Sequence, residues 1–138
     1  MATTGRVYEF DVAVDRNGTA TNRQGGQAMV KDDEWWAEHL VLAGLVRCTL
    51  ASLAYAARKA QVDVVAEGRA HGTVAKREAD GRYAFVDIES SFELEVAPPL
   101  DREALATMLE KTERGCFVGN SLTARPRYRW KVNGENVT

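Results

Sequence analysis

The stretch that most limits what this chain can fold into is Ala37 to Lys59, AEHLVLAGLVRCTLASLAYAARK, the longest run of good helix formers in it. Leu40, Ala43, Gly44, Arg47, Thr49, Leu50, Leu53, Ala54 and Ala57 recur at three- and four-residue steps, the spacing of a helix. Small and apolar residues occupy nearly every side, and a helix apolar all round is a buried helix. Glu38, His39 and Arg47 interrupt the run, so it does not read as a membrane span. The 138 residues make one domain, residues 1–138. A sheet in so short a chain backs such a helix without enclosing it, and a second copy of the chain is the expected cover.

The flanking segments read mostly as strands. Residues 7–14 put Tyr8, Phe10, Val12 and Val14 on one face, Asn17-Gly18 marks a hairpin turn, and short strands are expected over Thr19–Asn22 and Gln27–Val30. Asp32 or Asp33 is the expected cap of the helix, with Trp35 and Trp36 packed at its entrance. Beyond the helix, Val62–Lys76 alternates with a thin inner face (Val62, Val64, Ala66, Gly68, Ala70, Gly72, Val74). Arg82–Val96 alternates more strongly, with Ala84, Val86, Ile88, Phe92, Leu94 and Val96 facing inward. Asp101 caps a second helix, Arg102–Arg114, with Gly115 as its stop, and residues 123–132 form a last strand. Its row Arg127, Arg129 and Lys131 reads as a solvated face. The order predicts an α+β domain with a mostly antiparallel sheet backing the central helix.

A formal net charge of −2 leaves no basic excess to neutralise phosphates, so no nucleic-acid partner is expected. The opening MATTGRVYEF carries no apolar signal region, which sets the expectation of a cytoplasmic protein. In that compartment the two cysteines, Cys48 and Cys116, are buried spectators or a redox-active pair rather than a structural disulfide. Neither has a histidine at metal-ligand spacing, so no metal is expected. Cys48 sits in the middle of the central helix, where a thiol is ordinarily an inert small hydrophobe. Cys116 follows a helix stop, and a short helix starting at Phe117 would stabilise its thiolate with unpaired N–H groups. Composition and spacing leave both readings open.

Ala37–Thr49, AEHLVLAGLVRCT, resembles the central-helix signature of the OsmC/Ohr family, which comprises osmotically inducible protein C and the organic hydroperoxide resistance proteins. The family places a glutamate ten residues before the cysteine, as Glu38 and Cys48 stand here. Its second motif, Cys-Pro-Val-Ser-x-x-Leu after a helix with a Leu-Asp cap, is similar to Cys116-Phe117-Val118-Gly119-Asn120-Ser121-Leu122 and Leu100-Asp101. Ala37 and Phe117 stand where the family has prolines. The resemblance implies an OsmC-like fold in an intertwined homodimer. It also implies a thiol-dependent peroxidase in which Cys48 is oxidised to a sulfenic acid by an organic hydroperoxide and Cys116 condenses with it to a disulfide. An external dithiol, such as a lipoylated protein or thioredoxin, would reset the pair without a cofactor. An arginine oriented by Glu38 would activate Cys48; Arg16, in Asp-Arg-Asn-Gly, resembles the family motif, and Arg23 is its rival. Leu45, Trp35, Trp36 and Phe117 would supply apolar walls.

Ten residues of straight helix separate Glu38 from Cys48 by about 15 Å. Glu38 therefore serves the thiol of a second copy across a two-fold axis, or it only favours its own helix N-terminus. Two alternatives to the peroxidase are an OsmC-like stress or binding protein without efficient turnover and a hot-dog thioesterase using Glu38.

Overall fold

The computed structural model describes residues 1–137. The chain divides into two compact units, Met1–Ala37 and Glu38–Thr138.

The first unit is built on a small antiparallel hairpin of β1 (Val12–Val14) and β2 (Ala20–Asn22). The Asp15 carboxylate accepts the N–H groups of Asn17 and Thr19 at 2.9 and 3.0 Å, and Gly18 takes the left-handed φ of +81° that closes the turn. The strand expected over 7–14 contracts to its last three residues, and the one expected over Gln27–Val30 contracts to a single bridge from Ala20 to Met29. Val7, Phe10, Val12 and Val14 are all exposed, so two short strands lack the packed face that would extend their ladder. Asp32 and Asp33 do not cap the central helix. They make the turn before it, where Asp32 accepts the Glu34 N–H and the Asp33 carbonyl accepts the Trp36 indole N–H. Trp35 and Trp36 are both more than half exposed.

The longest helix, α1, runs unbroken from Ala37 to Ala60, within one residue of the expected span. It is long and apolar enough to cross a membrane by length and composition. Its buried stripe, Leu45, Thr49, Leu53, Ala56 and Ala57, is instead part of a core. All-round burial is not what the single chain shows, since Leu40, Val41 and Tyr55 lie exposed on the remaining sides.

The sheet beneath has the order β3 (Asp63–Lys76), β4 (Tyr83–Ala97), β5 (Arg127–Val132), β6 (Glu135–Asn136). Its β3–β4 and β5–β6 pairs are antiparallel, and β4–β5 is parallel. Between β4 and β5 the chain crosses over through α2 (Arg102–Arg114) and α3 (Phe117–Ser121), as a parallel pairing requires. Leu53, Ala56 and Ala57 of α1 meet Phe92, Leu94 and Trp130 of the sheet and Met108 and Leu109 of α2 in the main core. Phe92, Trp130 and Tyr128 stack, Phe92 and Trp130 at 4.8 Å between ring centroids. On the outer face Arg127 pairs with Asp87 and Glu89 at 3.0 Å, and Arg129 with Glu89 at 3.2 Å, so the basic row meets an acidic one.

The alternation along the long hairpin holds up to a bulge between Thr73 and Val74, where Thr73 pairs with Asp87 and Val74 with Phe85. The unpaired Val86 shifts the register by one, and the β4 side chains on its far side change face relative to simple alternation. Phe85 therefore turns inward and Val86 is exposed, the reverse of the expected pattern, while Val74 shares the face of its partner Phe85 at the exposed end of the hairpin. The thin inner face of β3 has a direct cause. The Phe92 ring lies against Gly68, and a Cβ on Gly72 would stand 2.6 Å from the Phe85 ring and 3.3 Å from Leu42 of α1. Asp101 caps α2 as expected, accepting the Ala104 N–H at 2.8 Å. Gly115 stops α2 with an ordinary φ of −86°, and glycine is needed there because a Cβ would meet Ser52 Oγ at 2.6 Å. Strand β5 begins after Pro126, which has no N–H for a ladder, rather than at residue 123. The pair β5–β6 closes on Asn133 and Gly134, both at positive φ, a turn that the sequence pattern did not reveal.

Candidate active site

The second, smaller core of the larger unit is centred on Leu45, Ile88 and Cys116, with Cys48, Phe85, Val118 and Leu122 packed against it. Helix α1 carries Cys48 and Thr49 to the lip and floor of this cluster, and the crossover brings Cys116 to the same place across 68 residues of sequence. Both are free thiols and close neighbours, Cys116 fully buried and Cys48 partly exposed.

The two sulfurs hold the first amides of α3. Cys116 is the N-cap residue, and its Sγ accepts the Gly119 N–H at 3.4 Å. Cys48 Sγ accepts the Val118 N–H at 3.5 Å. Burial pushes the Cys48 thiol above its ordinary value, and Cys116 adds to the rise; the N–H groups of Val118 and Phe117 pull the other way. The Thr49 hydroxyl donates to the Leu45 carbonyl at 2.9 Å and lies 3.3 Å from Cys116 Sγ. The Tyr128 hydroxyl reaches the same group from β5 and, with Cys116 Sγ, flanks the place a Cβ on Gly119 would take. Burial, first, and then Cys116 hold its phenol well above the usual range.

The remaining expected site residues lie apart from this cluster or outside its unit. Glu38 is exposed in the first turn of α1, about 15 Å along an unbroken helix from Cys48, so the chain does not bring the two together. Arg16 is exposed in the β1–β2 turn, and Arg23 pairs with Asp11 at 3.1 Å; both belong to the first unit. Leu45 is fully buried in the thiol cluster and Phe117 is exposed beside it, whereas Trp35 and Trp36 belong to the first unit. Sequence reasoning missed Tyr128, Thr49 and Gly119. Tyr128 carried a signal, because an inward tyrosine needs a partner for its hydroxyl. Gly119 has no room for a side chain, since a Cβ would stand 2.7 Å from Tyr128 Oη and 3.3 Å from Cys116 Sγ. Among the described residues no group of His, Cys, Asp or Glu is placed to hold a metal ion.

The fold is shared widely among solved structures. The OsmC-like protein of Mycoplasma pneumoniae superposes with a TM-score of 0.70 at 13% identity, covering 94% of this chain and 99% of that one. An OsmC-like protein of unknown function from Vibrio cholerae gives 0.71 at 15% identity, covering 90% and 99%. An organic hydroperoxide resistance protein from Elizabethkingia anophelis gives 0.65 at 18% identity, covering 94% and 98%. At these identities the likeness is one of fold. No curated protein matches the sequence. The family model described as OsmC-like protein matches residues 31–131, a span that takes in α1, the long hairpin, both thiols and most of β5, and on that match the chain belongs to the OsmC-like protein family.

Proposed function

We propose that the protein is a thiol-dependent peroxidase that reduces organic hydroperoxides to alcohols. The observation that carries this reading is the meeting of Cys48 and Cys116, the first partly exposed and the second buried behind it. The Cys48 thiolate attacks the peroxide O–O bond, the alcohol leaves, and Cys48 becomes a sulfenic acid. Cys116 displaces the hydroxyl as water and forms the disulfide, which an external dithiol reduces back to two thiols. A lipoylated protein or thioredoxin fits that role, and a cytoplasmic setting fits a pair that must be reduced again.

Burial works against the thiolate at Cys48, so efficient turnover needs a cation. We assign this role to Arg16, with Arg23 as the rival, and Glu38 orients the guanidinium. One unbroken helix keeps Glu38 away from its own Cys48, so the site is shared in a homodimer, Glu38 of one protomer serving Cys48 of the other. The exposed apolar sides of α1 supply the surface on which two copies pack. The test is consumption of cumene hydroperoxide in the presence of a dithiol. Turnover that Cys48→Ser abolishes, and a sulfenic acid that accumulates in Cys116→Ser, support the peroxidase; no consumption by the reduced wild-type protein rejects it. The raised Cys48 thiol favours a second reading, an OsmC-like stress or binding protein without efficient turnover. The thioesterase alternative gives no account of the paired thiols and has no support in the family match.

A further inference from the structure

The protons around Cys116 can be assigned from the hydrogen bonds. Thr49 has one hydroxyl proton, and it points to the Leu45 carbonyl oxygen, which can only accept. The 3.3 Å contact between Thr49 Oγ1 and Cys116 Sγ is then the thiol's to donate. Its sulfur meanwhile accepts the Gly119 N–H. The Tyr128 hydroxyl lies beside the same sulfur, and Gly119, lacking a Cβ, leaves room for that approach.

Cys116 is fully buried, so its thiolate receives no help from water and needs donors from the protein. Two are at hydrogen-bond distance, the Gly119 amide and the Thr49 hydroxyl once it turns from the Leu45 carbonyl to the sulfur, and the Tyr128 hydroxyl stands close by as a third. We propose that Tyr128 and Thr49 form a hydroxyl clamp that keeps Cys116 a thiol while Cys48 is reduced and stabilises its sulfur as it attacks oxidised Cys48. This rests on the peroxidase reading for its physiological step. There the Cys116 S–H and Cys48 S–OH become an S–S bond. The Cys48 S–O bond breaks, and the hydroxyl leaves as water with the Cys116 proton. Oxidation of the pair is completed at the expense of the oxygen already taken from the peroxide. The same clamp acts when diamide is the oxidant: Cys48 adds across its N=N bond, Cys116 displaces the adduct, and the reagent leaves as its hydrazine.

The test follows the two steps separately in single turnovers. Oxidation of Cys48 is read from loss of cumene hydroperoxide, and cross-linking is read by quenching and mass spectrometry. Tyr128→Phe should leave the first step at the wild-type rate and slow the second about ten- to a hundred-fold, the worth of one hydrogen bond to a charged group. Thr49→Ser keeps the hydroxyl and should cross-link near the wild-type rate, whereas Thr49→Val should be slow. Circular dichroism and a melting curve establish that each variant is folded, and Tyr128→Phe carries the decision if Thr49→Val is not. Each protein is also cross-linked with diamide, which needs no peroxide. Wild-type protein that cross-links with diamide but consumes no peroxide rejects the peroxidase reading, and a slow Tyr128→Phe in diamide still supports the clamp. Cross-linking of folded Tyr128→Phe at the wild-type rate with either oxidant overturns the clamp. Wild-type protein that cross-links with neither overturns both.

Discussion

At the scale of single residues, the thiol cluster is packed tightly enough that glycine carries part of its chemistry. Gly119→Ala forces a Cβ against Tyr128 Oη and Cys116 Sγ, and should destabilise the protein by about 1–3 kcal/mol in chemical denaturation. Titration offers a second check. Tyr128 should be late to ionise, so Tyr128→Phe should remove the phenolate absorbance that appears last as pH rises. A folded pKa above the unfolded value contributes stability that is whole below the ordinary tyrosine range near pH 10 and is lost as pH rises through the folded value. Loss of stability in alkali should therefore be milder in Tyr128→Phe. At Cys48 the thiol is raised by burial, so the proposed activating arginine can be tested by the pH dependence of alkylation. Replacing the true partner, Arg16 or Arg23, with Ala should move the midpoint upward; if neither does so, the arginine assignment fails. The sequence motifs pointed to Cys48 and Cys116, but the two hydroxyls behind Cys116 were hidden. Thr49 read as one more position on a helix stripe, and Tyr128 as one more inward residue of a strand.

At the scale of elements, helices and turns were the more legible parts. The run of small and apolar residues located α1 to within one residue, and Asp101 announced α2, because caps and helical periodicity are local properties. The hairpin was legible except where a single bulge changed its faces. Phe85→Ala should cost about 2 kcal/mol because the half-buried ring fills space over Gly72 and Leu42. Val86→Ala should stay within about 0.5 kcal/mol, since Val86 points to solvent. Thermal denaturation of the two variants checks this order, which simple alternation along β4 would reverse. The parallel pairing of β5 with β4 was not visible, because strand direction is a long-range choice that local periodicity does not encode. The glycines of β3 read as part of a thin inner face, and two phenylalanine rings take much of the room they leave.

At the scale of the molecule, the exposed sides of α1 and the apolar hairpin of the first unit predict association. Sedimentation at micromolar concentration should give a dimer, and a monomer would remove the shared site. With a dimer in hand, mixing inactive Glu38→Ala and Cys48→Ser homodimers should restore one site in each verified heterodimer, and no recovery would place Glu38 outside the chemistry. The sequence showed a helix too apolar for one chain, and the separation of Glu38 and Cys48 along it follows once the helix is seen to run unbroken between them. The crossover from β4 to β5 has a further consequence for how the protein is made. Cys48 leaves the ribosome well before Cys116, and Cys116 is positioned only when the last strands have closed on β4. If the proposed peroxidase cycle holds, a chain that ends before Cys116 carries the peroxide-reacting sulfur without its resolving thiol. Oxidation of such a chain should then run on to the irreversible sulfinic acid, a damage mark that the complete pair would avoid.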